Sequence, residues 1–307
     1  MNNLAVFAML PPFYDKPPHK DIKWYLKRIE EEFSIKIKKY KYLKWAFDHD
    51  VFLINDETVV RFPRTEIARN NFKREIYFLE FLKDKIKIHI PKYSYISKSN
   101  DFAGYDLIPG KILTSSVFKN LSRSNKEKII IQLTGFINDF HKISLADFKK
   151  FKPKERDEFG EVEKKIEIEL EEKLFPRLSR QEVEGIKNFY QESKRFLSTI
   201  PNVCATHGDL YAYNVLWDKN KSEVGIIDFS DVLIGDPAKD FEVFYDYGEE
   251  YAETAYKKYQ GSKDNEFLKR AEIYYKAHAI YTLLSSLLGA QISFDYAYSR
   301  FQQRFSL

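Results

Sequence analysis

Cysteine is almost absent from this sequence, and several signals of other protein classes are missing as well. Cys204 is the single cysteine, so no disulfide can form within the chain, and no Cys/His spacing suggests a zinc site. No apolar run reaches the ~20 residues of a membrane span, and the start of the chain lacks the basic segment of an export signal. These absences predict a cytoplasmic protein without a membrane partner.

Blocks of one charge sign are also lacking. The 50 Lys and Arg residues and the 46 Asp and Glu residues give a formal net charge of +4 that is spread along the chain. Nucleic-acid-binding proteins usually concentrate basic residues in patches, so we expect no nucleic acid partner. Aromatic residues, by contrast, are plentiful, and we interpret the 26 Phe and 21 Tyr mainly as core and cleft lining.

Short strand patterns dominate the first third of the chain. A helix is predicted over 21–33 and another over 66–82, with a hairpin turn over 55–57. Strands are predicted over 42–43, 51–54, 58–62, 88–91, 93–96 and 105–108. These patterns predict an antiparallel sheet with one helix packed near it.

Helical periodicity dominates the rest. Helices are predicted over 126–141, 159–175, 181–198 and nearly all of 238–303, with a β island at 203–206, 214–217 and 224–227. A turn at Pro109 and Gly110 separates the two regions. We therefore predict an N-terminal lobe over 1–108 and a helical C-terminal lobe over 109–307.

Three polar residues follow strand ends in the β island. Asp209 comes after the first strand, Asn214 follows five positions later, and Asp228 ends the hairpin. Phosphoryl transfer needs a carboxylate to accept a hydroxyl proton, and an amide oxygen and a second carboxylate on Mg²⁺. The spacing predicts Asp209 as the base, with Asn214 and Asp228 as magnesium ligands, although any one of them alone could be a turn residue.

These motifs resemble those of a known family. Residues 207–214 read H-G-D-L-Y-A-Y-N and residues 226–231 read I-I-D-F-S-D, where the family has H-[GN]-D-x-x-x-x-N and I-D-F/W-x-[DE]. The chain resembles the aminoglycoside phosphotransferase and choline-kinase branch of the protein-kinase-like fold, and most of all the aminoglycoside 2″-phosphotransferases, over residues 35–260. The resemblance implies an α+β, two-lobed fold with an antiparallel-sheet N-lobe, a mainly helical C-lobe and nucleotide in the cleft between them.

The resemblance also implies a nucleotide site. Arg61 would contact the α- and β-phosphates and Glu75 would hold it, while the backbone of Asp106, Leu107 and Ile108 would read the purine. Kinases at large use Lys where this chain has Arg61, and an arginine keeps the charge and offers forked donors. Alternatively, Arg61 and Glu75 form only a structural ion pair.

Glycine is missing from 44–50, where relatives usually place one between the first two strands. Bulky Trp45 and Phe47 restrict how closely this loop can approach phosphate. Its backbone N–H groups, including those of Asp48 and His49, are still expected to face the nucleotide. The substitution leaves ATP and GTP open as donors and favours, as an alternative, a catalytically weak nucleotide-binding regulator.

An acidic stretch follows the motif and suggests a cationic acceptor. Its members are Asp231, Asp236, Asp240, Glu242, Asp246, Glu249 and Glu250. Clustered carboxylates attract polyammonium compounds, so we predict acceptor contacts from Tyr211, Asp231, Glu242 and Asp246. Alternatively, these carboxylates form solvated helix faces or caps, and Tyr211 packs the loop.

Together these patterns predict a monomeric kinase that uses Mg²⁺ and ATP or GTP to phosphorylate an aminoglycoside, a resistance-type activity. A kinase of a macrolide, choline or a sugar is the main alternative. His207 and His141 are interpreted as packing residues.

Overall fold

The chain forms two compact units. The structure, a computed structural model, describes residues 20–43, 49–155, 161–198, 200–290 and 292–305. Within these residues the N-terminal unit comprises 20–111 and 216–230, and the C-terminal unit comprises 112–215 and 231–305. Residues 216–230, which the sequence assigned to the helical lobe, therefore pack with the first segment.

A five-stranded antiparallel sheet forms the frame of the N-terminal unit. Its elements are α1 (Ile22–Phe33), β1 (Tyr40–Leu43), β2 (His49–Ile54), β3 (Thr58–Pro63), α2 (Glu66–Leu82), β4 (Tyr93–Ile96) and β5 (Ala103–Asp106). The strand order is β1-β2-β3-β5-β4. Apolar residues of α1 pack with Phe52, Phe62 and Phe102 in one core. The predicted antiparallel sheet and the helix over 66–82 are confirmed.

The hairpin between β2 and β3 follows from its turn residues. Asn55 and Asp56 have φ angles of +53° and +58°, a left-handed conformation that Asn and Asp tolerate better than most residues. The turn sets a register in which Val51 lies opposite Arg61. The predicted turn over 55–57 thus positions the arginine of the candidate nucleotide site.

The predicted strand over 88–91 is wrong. Only His89 pairs there, in a single parallel bridge to Gly225, because Pro91 has no N–H to continue a ladder. The strand predicted over 105–108 is shifted: β5 ends at Asp106, and the Leu107 N–H donates to the carbonyl of Glu57 at 2.6 Å.

Helices dominate the remaining chain. Its elements are β6 (Lys111–Ile112), α3 (Ser115–Lys119), α4 (Arg123–His141), α5 (Leu145–Lys149), β7 (Lys154–Glu155), α6 (Glu161–Glu169), α7 (Arg180–Leu197), β8 (Cys204–Thr206), β9 (Val215–Asp218), β10 (Glu223–Ile226), β11 (Leu233–Gly235), α8 (Glu242–Tyr247), α9 (Glu249–Lys258), α10 (Phe267–Leu287) and α11 (Phe294–Phe305). Two small sheets have the orders β10-β9-β6 and β7-β11-β8.

The predicted helical character of nearly all of 238–303 is confirmed, and within the described residues it is divided among α8, α9, α10 and α11. Gly248, with a φ of +137°, separates α8 from α9, since such a φ cannot continue a helix. The short strands β6, β7 and β11 and the helices α3 and α5 were not predicted, because elements of two to five residues carry little periodicity. The predicted α+β class is confirmed. Within the described residues, no helix is long and apolar enough to cross a membrane.

Candidate active site

The segment 207–214 joins β8 to β9 and carries the predicted catalytic base. Gly208 has a φ of +80°, and a Cβ added there would lie 2.5 Å from the carbonyl oxygen of Asp231. Any other residue would therefore be strained and would displace its neighbour. A glycine is needed immediately before Asp209.

Asn214 reaches back to Asp209 within this segment. Its Nδ2 donates to the carbonyl oxygen of Asp209 at 2.8 Å and to Oδ2 of the same residue at 3.1 Å. Because the amide nitrogen is engaged in this way, Oδ1 is the atom of Asn214 that suits a hard cation. The structure brings together the predicted base and one predicted magnesium ligand.

Asp240 holds the start of the catalytic segment from beneath. Its carboxylate accepts the backbone N–H of His207 at 2.8 Å and that of Gly208 at 2.9 Å. His141 donates through Nε2 to the same carboxylate at 3.0 Å, and the hydroxyl of Tyr259 lies 2.7 Å from its Nδ1. We call Asp240, His141 and Tyr259 the loop anchor.

The loop anchor keeps a fully buried carboxylate ionised. Burial alone would raise the pKa of Asp240, but its hydrogen bond with His141, together with the Gly208 N–H, leaves that pKa below its ordinary value. A carboxylate with several donors is stabilised in its charged form. The backbone before Asp209 is thus fixed by a permanent negative charge.

Asp246 holds the middle of the same segment. Its Oδ2 accepts the backbone N–H of Ala212 at 3.0 Å, and its Oδ1 accepts from Arg300 at 2.9 Å and from Arg304 at 3.0 Å. The Asp246 side chain is 1 % exposed. The carboxylate predicted to meet the acceptor is therefore engaged by two arginines of α11, and its acceptor contact stays a prediction.

The remaining predicted acceptor residues differ in accessibility. Glu242 is buried, and its carboxylate lies 3.2 Å from Nζ of Lys239 and 3.9 Å from Nδ1 of His278. Tyr211 packs edge to face against His278, with ring centroids 4.7 Å apart. Asp231 is partly exposed. Their acceptor contacts stay predictions, and the structure favours Asp231 and Tyr211 on accessibility.

In the N-terminal unit, Arg61 lies at the centre of a buried polar group. Its Nη1 donates to Oε1 of Glu75 at 2.5 Å and to the hydroxyl of Tyr93 at 2.9 Å. Its Nη2 lies 3.6 Å from Oδ1 of Asp228 and 3.4 Å from Nδ1 of His49. We call these five residues the arginine cluster; it joins β3, α2 and the residue predicted to bind magnesium.

Asp228 enters the arginine cluster through an unusual backbone conformation. Its φ is +66°, and its side chain is 42 % exposed although that of Arg61 is only 8 % exposed. The hydroxyl of Ser230 donates to Oδ1 of Asp228 at 2.8 Å. A partly solvated carboxylate beside a fixed guanidinium is suited to a ligand that carries both phosphate and a divalent cation.

The buried carboxylate of the arginine cluster, Glu75, has a raised pKa, in contrast to the lowered pKa of Asp240 in the loop anchor. Burial raises the pKa of Glu75 to about 7, and the positive charge of Arg61 only partly opposes this. Oε2 of Glu75 has no hydrogen-bond partner in the described part of the chain. Arg61 itself stays charged, because Glu75 outweighs the cost of burial and its pKa is raised.

His49 lies behind Arg61 rather than on an exposed loop. It is 4 % exposed and packs against the ring of Phe72, with centroids 5.1 Å apart. Burial and the nearby Arg61 lower its pKa well below the ordinary value, so the ring is neutral. The predicted nucleotide contact of His49 stays a prediction, and Asp48 lies outside the described residues.

Apolar residues surround the segment predicted to read the purine. Ile108 packs with Val51 and Val59, and Leu216 and Ile227 from the second segment of the N-terminal unit join them. Because the Leu107 N–H is bonded to Glu57, that donor is already in use. The sequence did not indicate Leu216 or Ile227, whose apolar character alone does not distinguish them from ordinary core.

The two predicted magnesium ligands have suitable chemistry. Asn214 offers an amide oxygen and Asp228 a carboxylate, both hard oxygen donors. Among the described residues there is no group of three or more His, Cys, Asp or Glu side chains placed to hold a metal. Magnesium usually keeps several waters and takes only one or two ligands from protein, so each residue by itself is a chemically suitable ligand.

Sequence reasoning missed the residues that hold the catalytic segment. The burial of His141 agrees with its interpretation as a packing residue, but the sequence did not indicate its bond to Asp240 or the bonds from Asp240 to the segment. The sequence does place Asp240 in the acidic stretch directly after the motif. That position does not show which of the carboxylates in the stretch are buried.

The chain is similar to known proteins in both sequence and fold. Residues 39–273 match the model of a family described as the phosphotransferase enzyme family. A GDP complex of wild-type aminoglycoside 2'-phosphotransferase-IIIa is similar, with a TM-score of 0.79 and 22% identity over 94% of this chain and 99% of that one.

Two further solved structures are similar at comparable coverage. The streptomycin-ATP-APH(2")-IIa ternary complex has a TM-score of 0.63 and 23% identity, over 93% of this chain and 97% of that one. Macrolide 2'-phosphotransferase type I has a TM-score of 0.66 and 16% identity, over 92% and 96% respectively. The predicted fold is confirmed by these likenesses.

Proposed function

Since this chain belongs to the phosphotransferase enzyme family, we propose that it transfers the γ-phosphoryl group of ATP or GTP to a hydroxyl of an aminoglycoside. Membership gives the reaction class of a small-molecule O-phosphotransferase, while the donor and the acceptor are our proposal. The observation that carries it is the Asn214 amide bonded to Asp209, since it pairs a proton acceptor with a cation ligand.

Asp209 is proposed to act on the acceptor hydroxyl. The acceptor oxygen forms a bond to the γ-phosphorus as the bond from that phosphorus to the β,γ-bridging oxygen breaks, and nucleoside diphosphate leaves. The Asp209 carboxylate accepts the hydroxyl proton. No covalent phosphoenzyme is needed, and the loop anchor keeps Asp209 in place throughout.

The arginine cluster is proposed to bind the donor. Arg61 would contact the α- and β-phosphates, with Glu75 and Tyr93 fixing its guanidinium. Asn214 and Asp228 would hold magnesium, which when bound neutralises charge on the β- and γ-phosphates. The backbone of Asp106 and Ile108 is proposed to read the purine. We also propose that Asp48, His49 and Leu107 contact the nucleotide, and that they do so through backbone atoms and not through their side chains.

The acceptor class is supported by likeness and by one carboxylate. Two of the similar structures are aminoglycoside phosphotransferases, one of them with streptomycin and ATP. Asp231, partly exposed and adjacent to Gly208, is the proposed contact for an ammonium group, with Tyr211 beside it. Glu242 and Asp246 have their charges balanced by Lys and Arg, so we propose that they support the site.

A macrolide is the second candidate acceptor. Balancing of Glu242 and Asp246 removes two of the carboxylates that favoured a polycation, and the exposed tyrosines Tyr213 and Tyr296 offer apolar faces. The similarity to macrolide 2'-phosphotransferase type I agrees with this alternative.

The test is a transfer assay with purified protein and magnesium, with ATP and GTP in separate reactions. Kanamycin, gentamicin, streptomycin, erythromycin and choline serve as acceptors, and mass spectrometry detects the addition of one phosphoryl group. We expect product with an aminoglycoside. Product with erythromycin alone would replace the acceptor class, and no product with any acceptor would contradict the kinase proposal.

Asp264 offers a control for the acceptor assignment. Asp231→Asn should raise the KM for the aminoglycoside, whereas Asp264→Asn should leave that KM unchanged because Asp264 pairs with Arg270 in the same unit. An unchanged acceptor KM in Asp231→Asn would remove Asp231 from the site.

A further inference from the structure

The C-terminal helix α11 is connected to the catalytic segment by a buried chain of charged contacts. Arg300 and Arg304, one helical turn apart, both donate to Oδ1 of Asp246. The other oxygen of Asp246 accepts the backbone N–H of Ala212, two residues before Asn214. One carboxylate therefore spans from α11 to the segment 207–214.

Burial shields the contacts between Asp246 and Arg304 from water. The side chains of Asp246 and Arg304 are 1 % and 4 % exposed, so water cannot replace a lost partner. The Arg304 guanidinium also lies 3.9 Å from the ring centroid of Tyr275 and donates to the carbonyl of that residue. These contacts leave Arg304 little freedom to turn away from Asp246.

A second contact joins the same two elements. The hydroxyls of Tyr213 and Tyr296 are hydrogen-bonded, which links the residue after Ala212 to the start of α11. Burial and this hydrogen bond raise the pKa of Tyr213 to about 12. Successive residues of the catalytic segment, 212 and 213, are thus each tied to α11.

We infer that Asp246, Arg300 and Arg304 are positioning residues for the phosphotransfer reaction and that α11 is part of the catalytic machinery. The inference rests on the proposed function. Loop anchor and α11 act on different parts of the segment: Asp240 fixes the backbone before Asp209, and Asp246 fixes it between Asp209 and Asn214. Without Asp246, Asn214 could shift relative to Asp209 while both residues remain present.

Two guanidinium groups compensate the charge of the buried Asp246 carboxylate. Asp246 therefore does not carry the cost of an unpaired buried charge while it accepts the Ala212 N–H. The charged and titratable groups around Asp246 and the two arginines include Tyr213, Tyr247, Tyr275, Tyr296 and His278.

The test compares Asp246→Asn with a matched control in the same unit. Asp264→Asn is the control, because Asp264 also accepts hydrogen bonds from Nη1 and Nη2 of a buried arginine, Arg270. The hydrogen bonds of the Asp264 carboxylate do not involve the segment 207–214. With kanamycin and ATP or GTP, kcat should fall about 10- to 100-fold in Asp246→Asn, since displacements of ~1 Å cost this much. Asp264→Asn should keep the wild-type kcat.

Two substitutions of Arg300 separate positioning from general stability. Arg300 is 21 % exposed and tolerates replacement better than Arg304. Arg300→Met should lower kcat at a temperature where the protein is fully folded, and Arg300→Lys should recover most of the loss. An equal kcat in wild type and in Asp246→Asn, or an equal fall in Asp264→Asn, would overturn the inference.

Hydrogen exchange distinguishes failure of this inference from failure of the proposed function. In Asp246→Asn the amide of Ala212 should exchange faster, while amides of β10 should be unaffected. If wild type phosphorylates nothing but this exchange difference appears, the proposed function fails and the coupling of α11 to the segment stands. If Ala212 exchanges at the wild-type rate, the coupling is wrong whatever the activity.

Discussion

Two buried carboxylates, Glu75 in the arginine cluster and Asp240 in the loop anchor, differ in the direction in which the protein shifts their pKa. Glu75 has one guanidinium and one hydroxyl on a single oxygen, and its pKa rises to about 7. Asp240 has two backbone N–H groups and His141 distributed over both oxygens, and its pKa falls. The number and placement of donors, more than burial, decide the charge of such a group.

The difference suits the proposed roles. A carboxylate with an unused oxygen leaves the arginine cluster able to adjust when nucleotide and cation arrive, whereas a fully bonded carboxylate keeps the catalytic segment in one conformation. Preorganisation of the base costs nothing at the moment of reaction. We therefore expect substitutions in the two regions to affect stability, donor binding and turnover differently.

The largest effect is expected from the loop anchor. Asp240→Ala removes the acceptor of two backbone N–H groups and of His141, and should lower the free energy of unfolding by about 3 to 5 kcal/mol. Urea denaturation measures it, with the more exposed Asp264→Ala as a control that should lose less. A loss below about 1 kcal/mol would show that Asp240 is not the support described.

The arginine cluster should respond mainly in nucleotide affinity. Arg61→Met should weaken binding of ADP with magnesium about 10- to 100-fold, the cost of losing charge-assisted hydrogen bonds. Calorimetry measures the Kd. Arg28→Met is the matched control, since Arg28 pairs with Glu32 and Asp101 in the same unit. Equal affinities in wild type and Arg61→Met would reduce Arg61 and Glu75 to a structural ion pair.

A fall in pH should change the contributions of Glu75 and Asp240 to the free energy of unfolding in opposite directions. Because the folded-state pKa of Glu75 lies above its ordinary value of 4.5, the folded protein holds an extra proton, so its contribution to the free energy of unfolding falls as the pH rises from about 4.5 to about 7. Asp240, with a lowered pKa, contributes stability above its ordinary pKa and loses it as the pH falls through the folded-state value.

The smallest effect is expected in the pH dependence of catalysis with the nucleotide. Ionisation of Glu75 completes its pairing with Arg61, so kcat/KM for the nucleotide should rise up to about tenfold between pH 6 and pH 8. Glu75→Gln should flatten this rise, while Glu80→Gln, on the exposed face of α2, should retain it. A pH profile that is identical in wild type and Glu75→Gln would contradict the titration of Glu75.

Local features of the site were predictable from the sequence, and distant partners were not. Asp209 and Asn214 are five positions apart, so their spacing alone indicated that they meet. The partners of Asp246, Arg300 and Arg304, lie 54 and 58 positions away. An acidic residue on a helix has the same pattern whether it faces solvent or a buried arginine, so the sequence did not indicate that Asp246 pairs with Arg300 and Arg304.

The fold shows the same division. The antiparallel sheet and α2 follow from alternation and helical periodicity, and both were predicted. The helical character of nearly all of 238–303 was predicted as well, but the boundary between α8 and α9 was not, because the φ of Gly248 is what distinguishes a helix end from a tolerated glycine. Packing of 216–230 with the N-terminal unit was also missed, since chain order favours assignment to neighbouring segments.

The proposed function requires that Asp209 be the base of a phosphoryl transfer. Asp209→Asn preserves an acceptor for the Asn214 amide, so the segment should keep its conformation while kcat falls about 10²- to 10⁴-fold. The measurement is a single-turnover transfer from ATP or GTP to the acceptor, made alongside calorimetric binding of the nucleotide. We expect lost transfer with unchanged nucleotide affinity, and full transfer by Asp209→Asn would show that Asp209 is not the base.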